Sequence, residues 1–132
     1  MSAEEPRKKA SYIGVPAIFE LKLACNHLTR AFGEDIYIVG SSTQRPDWRD
    51  VDLVMIMDDD AFEREFPDIF PKNCQWEFDP KWLILTCAIS KWLTEKSGVP
   101  VDFKFQPRTW ANENHKGNRD SIGHFMIPRS QQ

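Results

Sequence analysis

Asp50 and Asp52 stand two residues apart at the head of the apolar run Val51, Leu53, Val54, Met55, Ile56 and Met57. On an extended strand such residues share a face, about 6 to 7 Å apart. Two like charges therefore open a segment otherwise composed for burial. A third acid, Asp102, sits between Val101 and Phe103 in a later alternating run. If the two strands are neighbours, three carboxylates converge; left alone they would repel, and at least one would hold a proton. A divalent cation removes the conflict. Two or three carboxylates suit Mg²⁺, which keeps its remaining positions for water and substrate phosphates.

Ahead of the acids lies Gly40-Ser41-Ser42. A strand that ends in a glycine turn exposes backbone N–H groups with no ladder partner, and two adjacent hydroxyls make the turn suited to phosphate oxygens. Phosphate donors on one side and metal-holding acids on the other describe a site for a nucleoside triphosphate with its magnesium. Lys104 shares the face of Asp102 and can reach a triphosphate; Arg45, Arg49 and Arg119 are further cations, each equally readable as solvated charge. Trp48, Trp76 and Trp110 fall outside the main helical stripes, where an indole packs the core or a lid, or stacks on a base.

The elements that must position these groups follow from periodicity. From Pro16, the residues Ile18, Leu21, Cys25, Leu28 and Phe32 recur at helical spacing up to Gly33. Ile36 to Val39 reads as a buried strand and Asp50 to Met57 as a second. Asp58 to Asp60 can cap and open a short helix ending near Pro67, and Pro67 to Gln75 is loop. Asp79-Pro80 starts another helix with Trp82, Leu85, Ile89 and Trp92 as its buried stripe and Gly98 as its stop. Val99 to Gln106 is a third strand, with Val101, Phe103 and Phe105 on one face and Asp102 and Lys104 on the other. Trp110 to His115 reads as a helical turn, and the segment from His115 to Pro128 as irregular chain folding back. The result is a single α/β (α+β) domain, residues 16–132, in the order α-β-loop-β-α-β, with a flexible tail over residues 1–15.

Composition narrows the classes. A length of 132 residues is enough for one modest core, and 41% hydrophobic with 28% charged residues is ordinary globular composition. No apolar run approaches the roughly 18 residues of a membrane span, and the charged start MSAEEPRKKAS is unlike a signal peptide, so the expectation is a cytoplasmic protein without a membrane partner. The net charge of −3 argues against gripping a long nucleic acid unaided. Cys25, Cys74 and Cys87 form no C-x-x-C pair and read as core thiols; His27, His115 and His124 have no metal-ligand spacing.

Val39-Gly40-Ser41, Asp50-Val51-Asp52-Leu53 and Val101-Asp102-Phe103 occur in an order and spacing that resembles the DNA polymerase beta-like nucleotidyltransferase superfamily. The resemblance covers roughly Pro16 to Gln106, and Gly117-Asn118-Arg119 looks like a segment near the end of small phage and bacterial members. It implies a minimal nucleotidyltransferase-like fold, a mixed sheet packed against helices, in which Asp50 and Asp52 hold two Mg²⁺ ions, with Mn²⁺ as an alternative. It further implies that Asp102 shares one metal and activates the attacking hydroxyl, and that Gly40, Ser41 and Ser42 hold the triphosphate, which Lys104 can reach from its place on the face of Asp102. The implied activity moves a nucleoside monophosphate from a triphosphate to a hydroxyl acceptor in a tRNA end, a protein or a small molecule, releasing pyrophosphate. The competing class is a catalytically silent nucleotide-binding or antitoxin-like module acting through a protein partner or as a homo-oligomer. Small size favours the module, since larger relatives carry acceptor-holding domains; three retained, mutually repelling acids favour the enzyme.

Overall fold

Helix α1, Ala17–Phe32, forms on the expected apolar stripe and stops where Gly33, at φ 74°, lets its N–H bond the Thr29 carbonyl. The computed structural model of the chain describes residues 11–67, 76–114, 117 and 119–122. Within them α1 is followed by strands β1 (Asp35–Val39) and β2 (Val51–Met57), helices α2 (Asp59–Glu65) and α3 (Pro80–Ser97), strand β3 (Val101–Pro107), helix α4 (Arg108–Asn114) and strand β4 (Asp120–Ile122). The sheet order is β3-β2-β1-β4. β1 runs antiparallel to both β2 and β4, while β2 and β3 are parallel.

The sheet has two unlike faces, because strand residues alternate. On one, Ile36, Ile38, Val51, Leu53, Met55, Val101, Phe103 and Phe105 are buried in the main core with Leu21, Cys25 and Leu28 of α1 and Trp82 and Leu93 of α3. On the other, Asp52, Val54 and Ile56 of β2 lie beside Asp102, Lys104 and Gln106 of β3, and Val54, Ile56 and Ala111 form a small second cluster with half-buried Tyr37 and Val39 against it. One side of the sheet is thus closed by helices. The other carries polar groups toward an open cleft.

β3 is an edge strand, and α3 closes its free side. Trp82 Nε1 donates to the Phe105 carbonyl at 3.1 Å, Ser90 Oγ accepts from the Phe103 N–H at 2.9 Å, and Thr94 Oγ1 accepts from the Val101 N–H at 3.0 Å. These side chains recur every four or eight residues, one row along the helix. The buried stripe of α3 therefore runs through Trp82, Thr86 and Leu93, with Leu85, Ile89 and Trp92 flanking it only half-buried. The apolar stripe expected from periodicity is displaced because the edge strand's unpaired backbone requires polar partners. Asp79 caps α3 as anticipated, its carboxylate accepting from the Trp82 N–H at 3.0 Å.

Several expectations are corrected. Asp58 makes no side-chain cap on α2. α2 does open at these acids, with Asp58 at the N-cap position and Asp59 and Asp60 in its first turn, but the Asp58 carboxylate accepts from Arg108 Nε at 2.9 Å and Asp59 accepts from the Thr109 N–H at 3.0 Å, so their side chains fasten α4. Ile13 is buried and the Tyr12 N–H donates to the Ser42 carbonyl, so packed structure begins before Pro16; residues 1–10 lie outside the described residues. Within the segment read as irregular, Asp120–Ile122 adds strand β4 beside β1. Cys25 is buried, with burial pushing its thiol up to about 12, whereas Cys87 is exposed; Cys74, His115, Asn118 and His124 lie outside the described residues.

Removing the Ser90 hydroxyl leaves the Phe103 amide without its partner, a loss of about 1 to 3 kcal/mol. Ser90→Ala is expected to lower the urea midpoint accordingly with an unchanged slope, while Lys91→Ala on the exposed side of the same helix stays within about 0.5 kcal/mol of the parent.

Candidate functional site

The parallel pairing of β2 with β3 sets Asp52 directly beside Asp102, and antiparallel pairing sets Val39 on the other side of Asp52. The two acids stand in adjacent strands, which are spaced about 4.8 Å apart. Both side chains are partly exposed to a cleft of about 590 Å³ that begins at Val39 and Gly40 and runs along the face past Lys104 and Gln106 to Trp76, Trp110 and Asn114. Lys104 Nζ lies 3.5 Å from Asp102 Oδ2, with both side chains about half exposed. A pair so exposed contributes little to stability, and the lysine is at liberty to turn to another anion.

Asp52 is the electrostatic centre. Burial pushes its carboxyl above the ordinary 3.8, the Asp102 charge adds to the rise, Lys104 opposes it, and Asp50 adds a smaller upward push. Asp50 itself is exposed and precedes β2 rather than starting it. It faces a shallower depression of about 350 Å³ together with Ser41, Arg45, Asp47, Arg49 and Asp52. Asp52 thus borders both cavities. Among the described residues no group of three or more His, Cys, Asp or Glu side chains is disposed to hold a metal. The structure brings Asp52 and Asp102 together, and leaves Asp50 to the side.

The glycine turn divides in the same way. Gly40 has φ 81° and ψ −157°, backbone space that is essentially reserved for glycine. A Cβ there would collide with the Asp52 carboxylate, whose Cγ would lie 3.3 Å away. The close approach that the glycine permits is therefore made by Asp52. Ser41–Thr43 form a 3-10 turn in which the amides of Thr43, Gln44 and Arg45 bond back to Gly40 and Ser41 carbonyls. The leading amides of such a turn have no partner within it. Ser41 lines the depression beside Asp50 and Asp52. Ser42 is fully buried and its hydroxyl has no hydrogen-bond partner among the described residues, so it faces neither cavity.

Other polar candidates are partly committed. Arg45 pairs with Asp47 at 3.4 Å. Arg119 donates to the Asn112 side chain at 2.9 Å and to the Ala111 carbonyl at 2.8 Å, which places it at the cleft edge as a brace on α4. Trp48 Nε1 donates to the Tyr12 carbonyl at 3.0 Å and is structural. Trp76 is buried against Phe62 and Trp110, and both indoles border the cleft. Gln106 is a cleft residue that the motif reading passed over; the alternation Asp102, Lys104 continued by two would have found it.

Comparison of the chain with protein-family models, curated protein sequences and solved structures gave no match. The geometry of the site and the order of its motifs therefore carry the functional reading.

Two outcomes follow from this geometry. Gly40→Ala meets both forbidden backbone space and the Asp52 carboxylate, and is expected to cost about 1 to 3 kcal/mol from the backbone alone. Gly33→Ala, with nothing within 4 Å of the added Cβ, is expected to cost less; denaturant midpoints compare the two. For Asp52, the folded state holds the proton more tightly than the unfolded chain does. Its contribution to stability is then complete below the ordinary 3.8 and is lost as pH rises through the raised value. In buffer free of divalent cations Asp52→Asn is expected to raise the melting temperature modestly at pH 7, with the gain shrinking as pH falls toward 3.8.

Proposed function

We propose that this chain transfers a nucleoside monophosphate from a nucleoside triphosphate to a hydroxyl acceptor, as its motif order implies. The single observation that supports this most is the register that pairs Asp52 with Asp102 at the mouth of a cleft edged by Gly40. The donor set suits a hard cation, since two partly exposed carboxylates face one cavity and burial together with the Asp102 charge holds the Asp52 carboxyl above its ordinary value. Asp52 and Asp102 would hold Mg²⁺; bound there, the ion neutralises charge on phosphate oxygens during displacement. Asp50, which lines the adjoining depression, would serve a second ion only from there.

The chain's own groups then divide the work. Gly40 and Ser41 border the place for the outer phosphates, and Lys104 can leave Asp102 for a phosphate oxygen. The acceptor oxygen attacks the α-phosphorus, the bond from that phosphorus to the bridging oxygen breaks, and pyrophosphate departs with the electron pair. Asp102 accepts the acceptor's proton. A tRNA end, a protein side chain and a small molecule all satisfy this chemistry, and the net charge of −3 disfavours a long nucleic acid held without help.

A second reading, a nucleotide-binding module that works through a protein partner, is favoured by one observation. Asp50 stands apart, so no three-acid group assembles among the described residues.

Asp102→Asn separates the readings. In the enzyme it is expected to weaken Mg²⁺-triphosphate binding, seen as a smaller thermal stabilisation, and at saturating triphosphate with the acceptor supplied to lower pyrophosphate release by about a hundredfold or more. If the parent binds triphosphate yet releases no pyrophosphate with any acceptor class, the module reading stands instead.

A further inference from the structure

Gln106 is only 7% exposed, lines the cleft, and makes no side-chain hydrogen bond among the described residues. Its carboxamide is not among the side-chain groups shut off from solvent, so the polar end opens to the cleft with its donors and acceptor available to a ligand. Its surroundings bear on what that ligand is. Along β3 it follows Asp102 and Lys104 on the same face, four residues from Asp102 and therefore about 13 Å away at the usual strand rise. Beside it on β2 is Ile56, which with Val54 makes an apolar floor, and the Trp110 ring borders the same end.

We propose that this end of the cleft is a nucleobase seat in which Gln106 reads the base edge. The inference rests on the nucleotide reading above and extends it to the part of the substrate that the acids and the glycine turn do not touch. A flat apolar floor suits the face of a heterocycle, and a carboxamide offers one acceptor beside two donors, the pairing that base edges present. The separation from Asp102 is of the order of a nucleoside monophosphate laid along the strand. The phosphates then lie at Gly40 and the acids, and the base at Gln106. The carboxamide is a specificity-determining group rather than a catalytic one, since the reacting phosphorus lies at the opposite end.

The experiment compares binding of ATP, GTP, CTP, UTP and inorganic tripolyphosphate, each with Mg²⁺, to the parent chain, Gln106→Leu and Gln106→Glu. In the parent, at least one nucleotide is expected to bind tenfold or more tighter than tripolyphosphate, the scale of a bidentate base contact being about ten- to a hundredfold. Gln106→Leu should erase most of that advantage while leaving tripolyphosphate binding unchanged, which also certifies its fold. Gln106→Glu, which keeps the shape and loses the donors, should change the order of preference among the four bases. Equal affinity for tripolyphosphate and all nucleotides in the parent, or an unaltered preference in both variants, would overturn the seat while the transfer reading survives. Binding of neither class would remove both.

Discussion

The parallel pairing of β2 with β3 is the constraint on which the site depends. It brings together two acids that are fifty residues apart in the chain, Asp52 and Asp102, and the same register stacks Val54 beside Lys104 and Ile56 beside Gln106. Side-chain direction alternates along a strand, so a slip of one residue would send Asp102 into the core and Phe103 into the cleft. Burial of Leu53, Met55, Phe103 and Phe105 on the opposite face forbids that slip. The hydrophobic core thus sets the geometry of the polar face.

A parallel pair needs a crossover, and α3 provides it while closing the free side of β3. Trp82, Ser90 and Thr94 take up backbone groups that an edge strand would otherwise present to solvent or to another chain. On the far side, α4 is held by Asp58 and Asp59 through Arg108 and Thr109, and its Trp110 borders the far end of the cleft. Two helices adjacent to β3 in sequence therefore serve opposite faces of the sheet.

The cleft itself is kept at some expense to stability. Asp52 is partly buried beside like charge, and Gly40 accepts a backbone conformation reserved for glycine so that the carboxylate can sit against it. These features are adjacent across the β1 and β2 ladder, since Asp52 pairs with Val39. Local strain and electrostatic conflict thus concentrate at one point, as they do where a ligand is received. Among the described residues no helix is long and apolar enough to cross a membrane, in keeping with a composition that offered no such span.

Much of this was legible in the chain alone, because it is set by local forces. Helical periodicity with the stops at Gly33 and Gly98 placed α1 and α3, and two-residue alternation placed Phe103 and Phe105 opposite Asp102 and Lys104. Spacing alone made Asp50 and Asp52 a pair, yet Asp50 precedes the strand and faces a separate depression. Ser42, equivalent to Ser41 in sequence, is buried because the segment at Tyr12 bonds across it. The polar row of α3, the addition of β4 and the isolation of Gln106 in the cleft wall were likewise invisible. Each depends on which backbone groups are left unpaired, and which side chains are left unpartnered, once distant segments have met. Sequence by itself determined where α1, α3 and strands β1 to β3 form and which faces of α1 and β3 turn inward, since periodicity and burial act within a few residues. Only the tertiary structure decided which polar groups share a cavity, because that depends on strand order and register between residues far apart in the chain.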